Sequence, residues 1–377
     1  MTAPMRVAHV VGTAGSTGVE SHLLALLPSF DPAEVAVTLF VPGPGLLVDR
    51  LRERGVAVEF GAPTRKLALF EANRLAGRWR GAFDVVHSHG PRVSFWSAYA
   101  ARRARVHAFV ITQHENRRQS LPPGWKRTLW LALEERALRS ADAILPVSEF
   151  IAGELRRVPG LAEKIRVVHG TAPMLLDARL PRARARATPG EPLRLVTVGR
   201  FSFEKGYDRL FESLALLARR GVDLRLDVIG HGELGDSLRR LARERGLESR
   251  VHWSEGGASL PATLAGAHLY VTGTRNEGLS VAGLEAMAVG LPIVSPNVGG
   301  QRELIDDGVT GVLVSAHPES EVPRRLADAI ERLANDPVLA ARMGESAARR
   351  AREEFAPARM AREVTVCYRA LLARPAH

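Results

Sequence analysis

"LPRARARATPGEPLRLVTVGRFSFEKGYDRL", residues 180–210, divides the chain in two. Its opening is rich in proline and arginine, has no apolar period, and reads over 181–192 as a linker. LRLVTVG (193–199) is then a buried-type strand leading through a glycine turn into a helix. A strand–turn–helix unit that restarts after a linker is how a second α/β domain begins. Further strands are expected at LRLDVIG (224–230), RVHWS (250–254), LYVTG (269–273), PIVSP (292–296) and GVLVS (311–315). Leu326 onward reads as helical until Pro375. Upstream, MRVAHVV (5–11) precedes a glycine-rich turn and a helix over Val19–Leu27. VAVTLFV (35–41), DVVHSH (84–89), AFVITQH (108–114), DAILPVS (142–148) and KIRVVH (164–169) are strand candidates, with a helix over Trp125–Arg139. This alternation predicts an α/β chain of two doubly wound parallel-sheet, Rossmann-like domains, residues 1–180 and 193–355. Tandem sheets of this kind would face across a cleft lined by the carboxyl ends of their strands.

The length, 377 residues, suits two domains. No apolar run reaches the ~18 residues of a membrane span, and MTAPMRVAHVV lacks the layout of a secretory signal. Cys367 is the single cysteine, which excludes an internal disulfide and fits a reducing cytoplasm. The net charge of +11 is uneven: residues 1–192 hold 27 basic against 17 acidic side chains, an excess of +10. Clusters at Arg78/Arg80, Arg102/Arg103/Arg105, Arg117/Arg118 and Lys126/Arg127 suit an anionic partner, or else a merely solvated surface.

Two segments carry chemistry. In GRFSFEKGYDRL (199–210), Arg200 and Lys205 lie five apart across a turn and could converge on one anionic group. In EGLSVAGLEAMAVGLPIVSPNVGG (277–300), Glu277 and Glu285 flank seven small or apolar residues. A helix expected to begin near Ser280 would offer the free N–H groups of Gly278, Leu279, Ser280 and Val281 to a phosphate. Glu285 would accept hydrogen bonds from a pair of sugar hydroxyls, and Glu277 could do so for a second sugar. Two acids, an amide-lined phosphate seat and two cations describe a nucleoside diphosphate carrying a sugar.

The second half resembles the donor domain of family 4 glycosyltransferases, retaining enzymes of the GT-B fold. GRFSFEKGYDRLFESL, LRLDVIGHGEL, the 277–300 segment followed by QREL, and DGVTGVLV carry the resemblance. It implies that Arg200 and Lys205 neutralise the diphosphate, that Glu277 holds the transferred sugar and that Glu285 holds the ribose. Gly278, Leu279 and Ser280 would supply backbone contacts to sugar and phosphate. Gly230 and Gly232 match a glycine turn bordering the nucleotide, with His231 where Asp is common, and the backbone at His252–Ser254 would face the base. In the first half, TGVESHLLALL (17–27) is similar to the family's G-G-x-E turn, with Thr17 replacing the first glycine; Gly15 and Gly18 still permit a tight loop. His114 corresponds to a histidine that contacts the sugar, whereas His87 reads more readily as a hydrogen-bonded structural residue. KIRVVHGTAP carries His169 in place of the family's Asn. Residues 356–377 resemble a helix that crosses back to the first domain.

The implied activity is transfer of a sugar from a UDP- or GDP-sugar to a lipid-linked or saccharide hydroxyl, in cell-surface polysaccharide or glycolipid synthesis. No D-x-D or metal-ligand cluster appears in the sequence, so no cofactor or essential metal is expected. The basic half suggests peripheral contact with the anionic inner leaflet from the cytoplasm. A sugar-nucleotide epimerase of the same fold would use the same nucleotide cradle without an acceptor. A nucleic-acid binder would explain the charge, but its stacking aromatics should cluster, and these do not.

Overall fold

A computed structural model describes residues 3–13, 18–63, 68–115, 124–184, 191–254 and 259–375. Gly15, Thr17, Arg117, Arg118, linker residues 185–190 and the side chain of Lys126 lie outside the described residues. The chain forms two compact units, Met1–Pro173 with Ala356–His377, and Met174–Phe355.

The first unit is built on six parallel strands: β1 (Met5–Val11), β2 (Val35–Val41), β3 (Ala57–Phe60), β4 (Val85–His89), β5 (Ala108–Gln113) and β6 (Ala143–Pro146). Their order is β3-β2-β1-β4-β5-β6. The fully buried patterns of β5 and β6 explain their apolar runs AFVI and AILP, whereas β4, equally buried, carries His87, Ser88 and His89 inside. The C-terminal helix Pro357–Leu372 belongs to this unit. Its Met360, Ala361, Val364, Tyr368 and Leu371, spaced at the helical period, join the core formed by Val7, Leu23, Leu39, Val85 and Val110.

KIRVVH departs from expectation. It forms no strand, only an isolated bridge between Ile144 and Ile165. The N–H groups of Arg166 and Val168 donate to the carbonyls of Ile144 and Pro146 at 2.9 and 3.1 Å. Strand β6 is short and ends on a proline, which has no N–H to return, so the ladder stops there.

The second unit repeats the plan with β7 (Leu193–Val198), β8 (Leu224–Ile229), β9 (Val251–Ser254), β10 (Leu269–Val271), β11 (Ile293–Pro296) and β12 (Gly311–Val314). The order is β12-β11-β10-β7-β8-β9, so each sheet reverses direction of winding beside its first strand, at β1/β4 and at β7/β10. Such reversal points are where open α/β sheets hold ligands. At the start of the expected linker, the N–H groups of Ala183 and Arg184 donate to Val289 and Ala265 at 2.7 and 3.0 Å, within this unit.

Two loops cross at the β7/β10 reversal so closely that neither carries a side chain at the crossing. A Cβ on Gly206 would collide with the Gly273 carbonyl, and one on Gly273 with the Gly206 carbonyl. Gly206 also has φ +62°, in the left-handed region. Gly206→Ala is therefore expected to destabilise the unit by about 1–3 kcal/mol from backbone conformation alone, with the collision adding to it. An unchanged denaturant midpoint would show that the two loops can separate without cost.

Candidate functional site

The turn after β7 and the loop after β10 bring two of the sequence-predicted residues, Lys205 and Glu277, together at the reversal point. The β7 turn runs through a 3-10 segment, Phe203–Lys205, into the helix Tyr207–Arg219. The β10 loop runs into the helix Val281–Val289. Lys205 Nζ donates to Glu277 Oε2 at 2.6 Å, with the two side chains 27 % and 15 % exposed. The loops are also tied by their backbones: the Arg275 N–H donates to the Glu204 carbonyl at 2.7 Å, and the Thr274 hydroxyl to the same carbonyl at 3.1 Å. The Gly300 N–H donates to the Glu277 carbonyl at 2.9 Å, fixing the backbone from which the carboxylate projects.

Ser280 caps the following helix, its hydroxyl accepting from the Gly283 N–H at 3.0 Å. A cap of this kind contributes about 1 kcal/mol and sets the helix start. The N–H groups of Gly278, Leu279 and Ser280, just outside that start, form no hydrogen bond among the described residues. They sit at the positive end of the helix dipole. The helix is apolar on every side and buried from Gly283 through Val289. Glu285 lies within that run, 9 % exposed, with no ion-pair partner among the described residues. Burial pushes its carboxyl up to about 7.

Arg200 is exposed and forms no ion pair among the described residues, so of the two expected cations only Lys205 is already engaged. Gly230 and Gly232 fold the loop after β8 around Phe201: the Phe201 N–H donates to His231 at 2.8 Å, and the Leu234 N–H donates to the Phe201 carbonyl at 3.2 Å. A cavity of about 300 Å³ opens here, lined by Phe201, Gly230, His231, Gly232, Trp253 and Ser254, with Glu233, Gly235, Asp236 and Arg239. The Arg239 guanidinium lies 5.0 Å from the Trp253 ring centre. Of the stretch His252–Ser254, whose backbone is expected to face the base, Trp253 and Ser254 line the cavity; the His252 imidazole, 76 % exposed, pairs with Asp227 at 3.1 Å.

Several supporting residues carry no signal in local pattern. The Tyr207 and Tyr270 hydroxyls donate to the Gly199 and Val198 carbonyls at 2.9 and 3.1 Å, holding the end of β7 from two sides. Arg275 makes a two-pronged bond to Asp208 at 2.6 and 2.8 Å, reaches Glu319 at 3.1 Å, and lies 4.1 Å from the Phe203 ring centre. Its side chain is 14 % exposed, while Asp208 and Glu319 are 52 % and 60 % exposed. Solvent screening of the two acids limits the expected cost of Arg275→Ala to roughly 1–3 kcal/mol. Thermal unfolding of that variant should show the loss; no change would remove Arg275 as the brace of this loop.

The first unit gathers a different set. Gly18 begins the helix Gly18–Leu26, which carries His22; His114 follows β5 directly. His9 and His87 are register partners on β1 and β4, and His89 closes β4. His9, His22, His87 and His89 are buried and His114 is half-buried. His114 Nε2 lies 3.3 Å from His89 Nδ1, and the His22 ring stands edge-on to His114 with centres 4.7 Å apart. Burial holds all five imidazoles neutral, with His9 lowered to about 3 and His22 to about 4. His87 is bonded to Tyr368 and Thr112, in keeping with its structural reading.

Of the basic clusters, Arg78 pairs with Glu59, while Arg80, Arg102, Arg103 and Arg105 are exposed. No helix among the described residues is long and apolar enough to cross a membrane.

Comparison with known proteins matches this division of the chain. Residues 182–350 match the family described as glycosyl transferases group 1, and residues 16–171 match glycosyltransferase family 4. The alpha-D-kanosaminyltransferase of Streptomyces kanamyceticus is 33% identical over 285 residues, 71% of this chain and 72% of that protein. The alpha-maltose-1-phosphate synthase of Mycobacterium tuberculosis strain H37Rv is 28% identical over 391 residues, 95% of this chain and 96% of that protein. Among solved structures, Anabaena Alr3699/HepE in complex with UDP and glucose superposes with a TM-score of 0.82 at 17% identity, covering 97% of this chain and 100% of that one.

Proposed function

The chain belongs to the group 1 glycosyltransferases of family 4 and has their GT-B architecture, and on that premise we propose that it is a retaining, metal-independent enzyme using a nucleoside-diphosphate sugar. The observation that carries the donor assignment is the Lys205–Glu277 pair, 2.6 Å apart at the β7/β10 reversal beside the unbonded N–H groups of 278–280. A diphosphate would take its charge balance from Lys205, Arg200 and those N–H groups, and Lys205 would exchange its bond to Glu277 for one to phosphate. Glu277, so released, would accept from hydroxyls of the transferred sugar. Glu285 would accept from the ribose. The cavity bounded by Gly230, Gly232 and Trp253 suits the base, with Trp253 and Ser254 among its lining residues. Anabaena Alr3699/HepE, which shares the fold, has been solved in complex with UDP-glucose, and this supports the same donor class here.

Glu277, the carboxylate nearest the reacting sugar in this reading, is spent on the sugar's hydroxyls once Lys205 has turned to the phosphate. The leaving phosphate therefore takes the proton. As the anomeric carbon–oxygen bond to phosphate breaks, the acceptor oxygen bonds that carbon on the same face and its proton passes to the departing phosphate oxygen. The acceptor is a saccharide or lipid-linked hydroxyl handled by the first unit, where His114 is the candidate sugar contact. Exposed Arg80, Arg102, Arg103 and Arg105 would bring that unit to an anionic leaflet.

A thermal-shift panel of UDP-, GDP- and ADP-sugars, followed by analysis of the anomeric configuration of the product, tests this reading. One nucleotide should raise the melting temperature, the transferred sugar should keep its anomeric configuration, and EDTA should leave the rate unchanged. If no nucleotide sugar shifts the protein, the donor assignment fails. Flotation with vesicles that is indifferent to anionic lipid would remove the membrane contact.

A further inference from the structure

The buried histidines of the first unit are linked to a tyrosine that arrives from the far end of the sequence. His114 Nε2 lies 3.3 Å from His89 Nδ1, and His89 Nε2 lies 3.0 Å from His9 Nδ1. His9 Nε2 lies 3.2 Å from the Tyr368 hydroxyl, which lies 2.5 Å from His87 Nδ1. His87 Nε2 lies 2.7 Å from Thr112 Oγ1. From half-buried His114 to buried Thr112, every contact is a hydrogen-bond distance.

We propose that Tyr368 is a positioning residue: through this chain it holds His114 in the Nε2–H tautomer and leaves Nδ1 as the acceptor offered to a ligand hydroxyl. A neutral imidazole has one donor and one acceptor nitrogen, so each ring passes its neighbour's choice along. The Tyr368 hydroxyl has a single proton, and burial keeps that proton in place by raising its pKa. O–H donors make short contacts and ring N–H donors longer ones. The 2.5 Å contact is thus Tyr368 donating to His87 Nδ1, and the 3.2 Å contact is His9 Nε2–H donating to Tyr368. With its proton on Nε2, His9 accepts at Nδ1 from His89 Nε2–H. His89 then accepts at Nδ1 from His114 Nε2–H. On the other side, His87 donates through Nε2–H to Thr112. All four rings share one tautomer, and the orientation of one phenol decides it.

The same rings, together with His22, form two trios, His9/His87/His89 and His22/His89/His114, whose candidate ligand atoms lie within 4.8 Å of one another. Both ring nitrogens of His9, His87 and His89 are already engaged in the chain, so a metal ion could bind there only by displacing one of its hydrogen bonds, and metal binding and the tautomer chain are competing states. The identity of the ligand hydroxyl rests on the glycosyl-transfer reading; the tautomer of His114 does not.

The test is long-range proton–nitrogen NMR of the full chain labelled with 15N-histidine, without substrate, at neutral pH. His114 is assigned by the loss of its signals in His114→Gln. The wild type should show His9, His87, His89 and His114 as Nε2–H. Tyr368→Phe keeps the ring but removes the hydroxyl, and His114 should move to a mixture with the Nδ1–H form. Thr112→Val, which removes the other terminal partner, should move it the same way should Tyr368→Phe not fold. An Nδ1–H wild-type His114, or a His114 tautomer indifferent to both folded variants, overturns the proposal. So does a signature that changes when EDTA is added, which would mean that a metal orders the rings.

Discussion

Alanine in place of Lys205 should lower turnover by roughly 10²–10³-fold while weakening nucleotide-sugar binding by less than about tenfold. The asymmetry follows from when the lysine is most needed. In the ligand-free protein its ammonium is matched by Glu277 at 2.6 Å. Moving it to a ground-state diphosphate replaces one ionic partner with another, so the net gain in binding is modest. As the sugar–phosphate bond breaks, negative charge accumulates on the leaving oxygen, and the fixed cation gains most at that stage. The variant also leaves the partly buried Glu277 carboxylate without its counter-ion, which by itself disturbs the sugar site. Lys205→Arg and Lys205→Ala/Glu277→Gln separate the two effects. If the carboxylate and the cation act as a unit, the double variant will lose much less than the sum of the single losses. Matching falls in turnover and affinity would make Lys205 a ground-state binding residue and end its assignment to the leaving phosphate.

The fold is legible in the sequence because parallel strands buried on both faces leave continuous apolar runs, as in the AFVI of β5 and the AILP of β6, separated by helices of ordinary length. Where that signal weakens, reading the sequence goes astray. AVEF at β3 has exposed ends and half-buried middle residues, so it shows no apolar run. KIRVVH has the β-branched composition of a strand, but its partner ends on Pro146 and the pairing stops at one bridge. The site divides in the same way. Lys205 and Glu277 lie 72 residues apart, and only the family motifs link them before the sheet order brings their loops together. Tyr368 lies 281 residues from His87 on a helix that returns to the first unit, and nothing near it in sequence marks it as other than a core aromatic. Arg275 stands next to the motif, yet its partners Asp208 and Glu319 come from distant segments, so its bracing role is visible only in the fold. On β9 the sequence marks a stretch but not which side chains line the cavity: the His252 imidazole pairs with Asp227, while Trp253 and Ser254 line it.

Glu285→Gln should make the ligand-free protein more stable at pH 8 and, at the same time, weaken nucleotide-sugar binding by about 10–100-fold, the value of one or two hydrogen bonds to a charged group. The carboxyl is 9 % exposed in an otherwise apolar helix, and burial raises it from 4.5 to about 7. In the unfolded chain it releases its proton near 4.5, whereas the folded chain holds the proton until about 7. Between those values the folded state binds more protons, so stability falls as pH rises through that window and the full penalty stands above it. The shift corresponds to at most roughly 3 kcal/mol. The glutamine side chain, neutral at every pH, avoids this penalty; its advantage over the wild type should therefore be largest at pH 8 and vanish near pH 4.5. Ribose hydroxyls reverse the preference. They donate to the ionised carboxylate, so wild-type affinity should rise from pH 6 to pH 8, and the glutamine variant should lose that dependence along with most of its affinity. Denaturant titrations at the two pH extremes, with calorimetric binding of the nucleotide sugar found in the panel, measure both halves. A variant that binds as tightly as the wild type would take Glu285 out of the donor site. One that is less stable at pH 8 would mean that the buried carboxylate is stabilised by its surroundings even without ligand, contrary to its apolar setting. The two outcomes expected together, gained stability and lost binding, are what a charge retained in a hydrophobic helix for the sake of its ligand must show.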